Sequence, residues 1–167
     1  MAGILGGALA LSGFLLQTFF SNPIAGPYVL GISSGAKMMV ALAMIIFLKY
    51  YTLVSSYILI IAAFIGSMLS IGFILLLARK IRNMATLLVG GIMIGYICSA
   101  VTDFVVTFAE DSDIVNLHGW SQGSFSGMSW SNVKVAALMV GITLILTFFL
   151  SKPIGAYQLG EMYAQSM

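Results

Sequence analysis

Long apolar runs separated by short polar links make up most of this chain. A helix needs about 20 apolar residues to cross a hydrocarbon core of roughly 30 Å, and five runs approach that length. In lipid every backbone donor and acceptor must pair within the protein, so each run is predicted to form a helix. The pattern therefore predicts an all-α membrane protein, a polytopic helical bundle with five transmembrane helices. The predicted spans are 3–20, 28–49, 54–78, 86–109 and 132–151.

Composition agrees with a protein surrounded by lipid. The chain has 167 residues, of which 60% are hydrophobic and 7% charged, whereas a soluble domain has about 25% charged residues. The net charge of +2 is too small for a nucleic-acid-binding surface. A single cysteine, Cys98, leaves no partner for a disulfide or a zinc cluster within the chain. These features exclude an ordinary soluble enzyme, a disordered chain and a nucleic-acid binder.

Basic residues in the short links predict how the helices cross the membrane. Arg79, Lys80 and Arg82 lie between the third and fourth spans, which marks that link as cytoplasmic. Alternation then predicts that 21–27 and the tail 152–167 are inside and that 49–52 and 110–131 are outside. Because Met1 opens directly into an apolar helix, we expect the chain to be a piece of a larger membrane protein. We predict that residues 1–151 form part of a transmembrane domain and that residues 152–167 begin a cytoplasmic segment.

Small residues spaced four apart predict where membrane helices approach one another closely. The fourth span carries the longest such stripe, and its next member is an ionisable residue, so the stripe is predicted to lie on a packed or water-lined face. The stripes are Gly3 and Gly7; Ala62, Gly66 and Ser70; and Gly91, Gly95, Ser99 and Asp103.

One short motif has the form of a hydrolase nucleophile. Residues 31–35, GISSG, match the G-x-S-x-G pattern, which requires a preceding strand and a following helix. Here the motif lies near the inner end of a predicted membrane helix, while the only histidine, His118, lies in an outer link. An intramembrane hydrolase is therefore rejected. Small residues at these positions instead allow a neighbouring backbone or a substrate to approach closely.

Lys37 and Asp103 are the two charged residues inside predicted spans, and such residues are functional candidates by default. They lie roughly 14 Å and about 25 Å above the inner ends of their helices, so a direct pair is at the limit of side-chain reach. Asp103 is expected at the mouth of a hydrated cavity, and Lys37 is expected to snorkel or to face an aqueous path. A proton-coupled secondary transporter that uses both residues is an alternative reading.

The long outer link has its own apolar pattern. Ile114, Leu117 and Trp120 are spaced three apart and predict a short helix that lies on the outer membrane surface. His118 has no carboxylate, cysteine or second histidine beside it in the sequence and is read as an exposed loop residue.

Four segments in order resemble the permease subunits of the iron-siderophore and vitamin B12 ABC importer family, also called the FecCD type. They are GGALALSGFLLQTFFSNPIAGPYVLGISSGA (6–36), LLVGGIMIGYICSAV (87–101), GWSQGSFSGMSW (119–130) and SKPIGAYQLGE (151–161). The family permease has ten membrane helices, and this chain is similar to helices two to six and the start of the next cytoplasmic segment. The resemblance implies a permease without catalytic chemistry or bound cofactor, because a separate ATPase subunit hydrolyses ATP.

The resemblance also implies partners and a location. The importer would combine two permeases, as a homodimer or heterodimer, with ATP-binding subunits and an extracytoplasmic substrate-binding protein. It would lie in the plasma (inner) membrane of a bacterium or archaeon and carry a ferric siderophore, haem or cobalamin. The residues cannot distinguish among these chelates.

Site residues follow from the resemblance at matching positions. Lys37 departs from the family pattern, which usually has a small or apolar residue there. The translocation path would include Gly91, Gly95, Ser99, Asp103 and Lys37. The cytoplasmic gate would include Asn22, Pro23, Ile24, Asn83, Met84 and Ala85. The contact with the ATPase would include Leu159, Gly160 and Glu161.

Overall fold

A computed structural model describes residues 1–48, 56–81, 83–126 and 128–160, and these ranges form seven α-helices. The predicted outer link 49–52 and Arg82 lie outside the described residues. The helices are α1 (Ala2–Phe20), α2 (Ile32–Leu48), α3 (Ser56–Ala78), α4 (Met84–Val106), α5 (Asp111–Gln122), α6 (Trp130–Phe149) and α7 (Ser151–Gln158).

The all-α membrane fold predicted from the apolar runs is confirmed. Four helices are long and apolar enough to cross a membrane, namely α1, α3, α4 and α6. The fifth predicted span is the shorter apolar helix α2, which begins at Ile32 rather than at residue 28. Residues 27–31 form turns instead, and Gly31 has a φ of +70°, a conformation that suits a turn and that L side chains rarely adopt.

The chain divides into two compact units. The first unit comprises residues 1–26 and 124–167, and the second comprises residues 27–123. In the first unit, residues 8–15 of α1 border a groove with Val140 and Thr143 of α6, and Phe19 stacks on Tyr157 of α7. The middle of α1 therefore lies beside α6, and the end of α1 lies beside α7.

In the second unit α2 packs against α3, α4 and α5. Gly35 contacts Gly66 and Ser70, whereas the later residue Val40 packs in one cluster with Ala62, so α2 and α3 are antiparallel. Gly31 meets Gly91 and Gly95 at the start of α2, and Met38 borders a groove with Ile97 and Cys98, so α2 and α4 are parallel.

The short helix predicted in the outer link is present as α5, but its apolar side packs within the protein. Leu117 is 5% exposed and belongs to the core cluster with Val40, Ala41 and Met44. Trp120 packs against the same cluster, whereas Ile114 remains exposed. The expected burial of this side in the membrane surface is therefore replaced, for Leu117 and Trp120, by burial against α2 and α3.

Candidate functional site

The start of α2 is in backbone contact with α4. A Cβ added to Gly31 would lie 2.6 Å from the amide nitrogen of Gly95 and 2.8 Å from the carbonyl oxygen of Gly91. A Cβ on Gly91 would lie 2.9 Å from a methyl of Leu30, and one on Gly95 would lie 3.2 Å from the Cα of Gly31. The contact at Gly31 is with backbone and requires glycine, whereas a Cβ at Gly91 or Gly95 would require its neighbours to shift.

A second glycine contact joins α2 to α3. A Cβ added to Gly35 would overlap the Ser70 hydroxyl, and one added to Gly66 would overlap the Gly35 carbonyl oxygen. Gly31 and Gly35 bound the motif that has the form of a hydrolase nucleophile. Their role in the structure is close packing of neighbouring backbones, as the rejection of that motif predicts.

The geometry separates the members of the predicted path stripe on α4. Gly91 and Gly95 are buried, whereas Ser99 and Asp103 are exposed. An α-helix turns by about 100° per residue, so each step of four residues rotates the position by about 40° around the axis. From Gly91 to Asp103 the stripe therefore turns by about 120°, away from α2.

The buried face of α4 continues through different residues. Cys98 and Thr102 follow Gly91 and Gly95 by seven residues each, a step that returns almost to the same side of the helix. Cys98 is 7% exposed and Thr102 is 3% exposed. The Thr102 hydroxyl donates a hydrogen bond of 2.9 Å to the Cys98 carbonyl oxygen, which satisfies a polar group that would otherwise be buried without a partner.

Lys37 and Asp103, the two predicted intramembrane charges, lie on α2 and α4 of the same unit and are both exposed. Gly35, two residues before Lys37, is buried against α3, so the charge extends from a part of α2 that packs closely. The part of these two residues in a translocation path stays a prediction.

Asn83, a predicted gate residue, has a clear local role. Its side chain is the N-cap of α4, where Oδ1 accepts hydrogen bonds from the backbone N–H of Ala85 at 2.9 Å and of Thr86 at 3.2 Å. These amides have no partner within the helix, so the cap stabilises its first turn. Met84 and Ala85 are the first residues of α4.

The other half of the predicted gate, residues 22–24, belongs to the first unit. Ser21 ends α1 in a left-handed conformation with φ 47°, and Oδ1 of Asn22 accepts a hydrogen bond of 2.9 Å from the Ile24 N–H. Pro23 is exposed, and Ile24 is 71% exposed. These contacts hold a tight turn directly after the helix.

The predicted ATPase contact lies at the end of α7. Leu159 is 72% exposed, and Gly160 has a φ of +123°, which strains any residue other than glycine. A Cβ on Gly160 would meet no atom within 4 Å, so its backbone conformation, rather than a close contact, explains the glycine in the described part of the chain. Glu161 lies outside the described residues.

Sequence reasoning did not find the contact between α7 and α1. The Gln158 side-chain amide donates a hydrogen bond of 3.1 Å to the Thr18 hydroxyl, and Tyr157 stacks on Phe19 with ring centroids 6.0 Å apart. The paired residues are far apart in sequence, so no local pattern could have predicted the contact.

Together these helices define a multi-pass membrane protein. The sequence profile of the FecCD transport family matches residues 1–167, and the chain belongs to that family.

Curated relatives carry names from two transport systems. The chain is 35% identical over 162 residues to the hemin transport system permease protein HmuU of Yersinia pestis, covering 96% of this chain and 48% of that protein. It is 32% identical over 166 residues to the vitamin B12 import system permease protein BtuC of Klebsiella pneumoniae, with coverages of 98% and 48%. It is 34% identical over 167 residues to BtuC of Vibrio parahaemolyticus, with coverages of 99% and 49%. The chain thus spans about half the length of these relatives.

A solved structure shares the fold. It is described as an inward-facing conformation of a metal-chelate type ABC transporter, and it matches with a TM-score of 0.82 at 22% sequence identity. The match covers 98% of this chain and 51% of the other chain.

Proposed function

We propose that this chain forms part of the permease subunit of an ATP-driven importer for bulky chelates of the haem, cobalamin or iron-siderophore type. The observation that carries the proposal is the match of the FecCD transport family along the whole chain. Relatives named for hemin transport and for vitamin B12 import support the substrate class at the level of large metal-containing ring compounds. The relatives do not favour one of the two substrates, and the iron-siderophore option rests on the resemblance in sequence alone.

In this proposal the chain itself performs no chemical reaction. ATP is hydrolysed by a separate ATP-binding subunit, a second permease completes the membrane part, and an extracytoplasmic protein delivers the chelate. The location is the plasma (inner) membrane of a bacterium, since the relatives named above are all bacterial and give no support to an archaeal source.

Within the path we assign different roles to the members of the α4 stripe. Ser99 and Asp103 are exposed and face the aqueous path, together with Lys37 of α2. Gly91 and Gly95 set the path's wall by fixing the distance between α4 and the start of α2.

Asn22, Pro23 and Ile24 form one part of the cytoplasmic gate, and Asn83 to Ala85 form another. Leu159, Gly160 and Glu161 contact the ATPase.

The test begins with the full-length permease and its ATP-binding subunit in right-side-out sealed vesicles, with nucleotide enclosed and the binding protein and chelate added outside. Uptake of hemin, cobalamin and a ferric siderophore is measured with ATP and with a non-hydrolysable analogue. We expect uptake of one chelate that requires ATP hydrolysis. Uptake that needs a proton gradient and no ATPase would favour the secondary transporter that uses Lys37 and Asp103.

The proposed orientation is tested separately. In a cysteine-free full-length protein, with Cys98→Ser included, single cysteines are introduced by Lys80→Cys and His118→Cys. A membrane-impermeant thiol reagent added to intact cells should label position 118 and leave position 80 unlabelled. Labelling of position 80 from outside would show that the proposed orientation is wrong.

The proposed ATPase contact has its own test. Gly160→Trp and Glu161→Arg in the full-length permease are expected to reduce co-purification of the ATPase or its stimulation by substrate. Unaltered assembly and stimulation in both variants would remove this segment from the contact.

A further inference from the structure

The end of α7 is tied to the end of α1 by two neighbouring side-chain contacts. Gln158 donates its amide hydrogen bond to Thr18, and the adjacent Tyr157 stacks on the adjacent Phe19 with an interplanar angle of 4°. Every other hydrogen bond between two side chains in the described part of the chain joins residues no more than four apart. The Thr18–Gln158 bond joins residues 140 apart.

The contact is well defined on the α1 side. Thr18 is 9% exposed, so its hydroxyl is largely shielded from solvent in the first unit. Ala156, two residues before Gln158, is 7% exposed, so α7 is held against its neighbours just before the contact. Gln158 is itself exposed, so the bond joins a shielded acceptor to an exposed donor and is partly sheltered from water.

Hydrogen bonds connect Gln17 and Thr18, at the end of α1, to residues 21–24. The Ser21 N–H bonds the Thr18 carbonyl oxygen at 3.2 Å, and the Asn22 N–H bonds the Gln17 carbonyl oxygen at 3.1 Å. The Asn22 side chain then holds the Ile24 N–H at 2.9 Å. A displacement of the end of α1 therefore moves the turn at residues 21–24 with it.

The turn at residues 21–24 borders an open groove. This groove of about 360 Å³ is lined by Gln17, Ser21, Pro23 and Gln158 among others, and the Ile24 side chain is exposed. Gln158 and the turn therefore border the same groove, and the Thr18–Gln158 bond lies at its edge.

We infer that the Thr18–Gln158 hydrogen bond, supported by the Phe19–Tyr157 stack, transmits movement of α7 to the turn at residues 21–24. This inference rests on the proposed function, in which the residues after α7 contact the ATPase and residues 22–24 form part of the gate. In this inference Thr18 and Gln158 are positioning residues, which act through the turn.

A double-mutant cycle in the full-length importer tests the link. The variants are Thr18→Val, Gln158→Met and the double variant, and the measured quantity is chelate transported per ATP hydrolysed. Loss of one hydrogen bond should lower this ratio by about fivefold in each single variant. Because both substitutions remove the same bond, the double variant should be no worse than either single one.

Three controls separate transmission from general damage. Thr18→Ser keeps the hydroxyl and should retain the ratio. Thr143→Val removes an exposed hydroxyl whose hydrogen bond goes to its own helix, at the Met139 carbonyl oxygen, and should also retain it. Tyr157→Phe keeps the stack, whereas Tyr157→Ala should lower the ratio. Co-purification of the ATPase and its basal rate should stay unchanged in all variants.

A direct readout of the turn is independent of transport. A thiol introduced by Ile24→Cys, in the cysteine-free full-length protein, should change its labelling rate when ATP is added. The Gln158→Met substitution should abolish that change. An unchanged response in Gln158→Met, or losses in the double variant that multiply those of the single variants, would overturn the inference.

Failure of the inference and failure of the proposed function give different results. If the unmodified full-length protein neither binds an ATPase nor transports a chelate, the proposed function fails. If it does both and the Thr18 and Gln158 variants match it in every measurement, only the transmission role is wrong.

Discussion

Stripes of small residues spaced four apart behave differently in the two units. In the second unit a Cβ on Gly31, Gly35 or Gly66 would meet backbone atoms of a neighbouring helix closer than 3.0 Å. In the first unit Gly3 and Gly7 have the same four-residue spacing in α1. No described atom lies within 4 Å of a Cβ added to either of them.

The difference shows what a stripe of small residues requires to become an interface. Spacing alone permits close approach, but contact occurs only where a second helix crosses at the right height with its own small residue. Gly35 on α2 meets Gly66 on α3 and Gly31 meets Gly95 on α4, so each contact is a pair of matched glycines. The interface predicted for Gly3 and Gly7 has no matching partner in the described part of the chain.

The largest expected effect of a single added methyl group is that of Gly66→Ala in the full-length protein. The new Cβ would lie 2.7 Å from the Gly35 carbonyl carbon, and backbone cannot move aside cheaply. We expect destabilisation of about 3 kcal/mol or more and a Tm lower by about 10 °C, measured by thermal unfolding in detergent. Gly72→Ala on the same helix is the matched control, since its Cβ would meet nothing within 4 Å. Equal Tm values for the two variants would show that the Gly35–Gly66 contact is not essential.

The next prediction compares leucine substitutions at two members of the α4 stripe. Gly95→Leu places a bulky side chain against Gly31 and should abolish folding or transport. Ser99→Leu, one step further along the stripe, changes an exposed position and should leave the amount of folded protein unchanged. Protein yield and chelate uptake are measured for both variants. If Gly95→Leu transports normally at unchanged expression, the packing and path assignments for this helix are wrong. A selective loss of uptake in Ser99→Leu would support its place in the path.

A smaller effect is expected at the start of α4. Asn83→Ala removes the N-cap and should destabilise the protein by about 1 kcal/mol. Asn83→Ser keeps a capping oxygen and should restore stability to within a few tenths of a kcal/mol. Thermal unfolding and uptake are measured together. If stability returns in Asn83→Ser while uptake does not, the asparagine has a gate role beyond capping, and if both return, capping accounts for the residue.

The smallest effect is expected for Gly7→Ala in α1. No described atom lies within 4 Å of the new methyl group, and alanine favours the helix over glycine. We expect a stability change within about 0.5 kcal/mol in thermal unfolding. A loss comparable to that of Gly66→Ala would show that another part of the complete protein covers this face of α1. The difference between the two units would then be absent from the complete protein.

Much of the fold was predictable because it depends on local chemistry. Runs of apolar residues must form helices in lipid, and four of the five predicted spans correspond to helices of spanning length, with α2 as the shorter fifth. The family was also predictable from four ordered motifs, which the match along residues 1–167 confirms. Neither result depends on how one helix crosses another.

The faces of the helices were decided by the tertiary structure. On α3 the residues Ala62, Gly66 and Ser70 all stay buried, so the contact with α2 follows the row of residues spaced by four. On α4 the same spacing leaves the interface after Gly95, and Cys98 and Thr102 take the buried positions. One sequence pattern therefore has two outcomes, because the crossing of each pair of helices selects which row of side chains is covered.

By itself the sequence determined that this protein is a bundle of membrane helices of the FecCD transport family, since apolar length and ordered motifs are properties of continuous segments. Only the tertiary structure decided that Gly31 meets Gly95, that Thr102 is buried and that Gln158 bonds Thr18. The physical reason is that a contact between distant segments depends on the height, angle and register of two helices. These quantities follow from packing of the whole unit and leave no periodic signal in either segment.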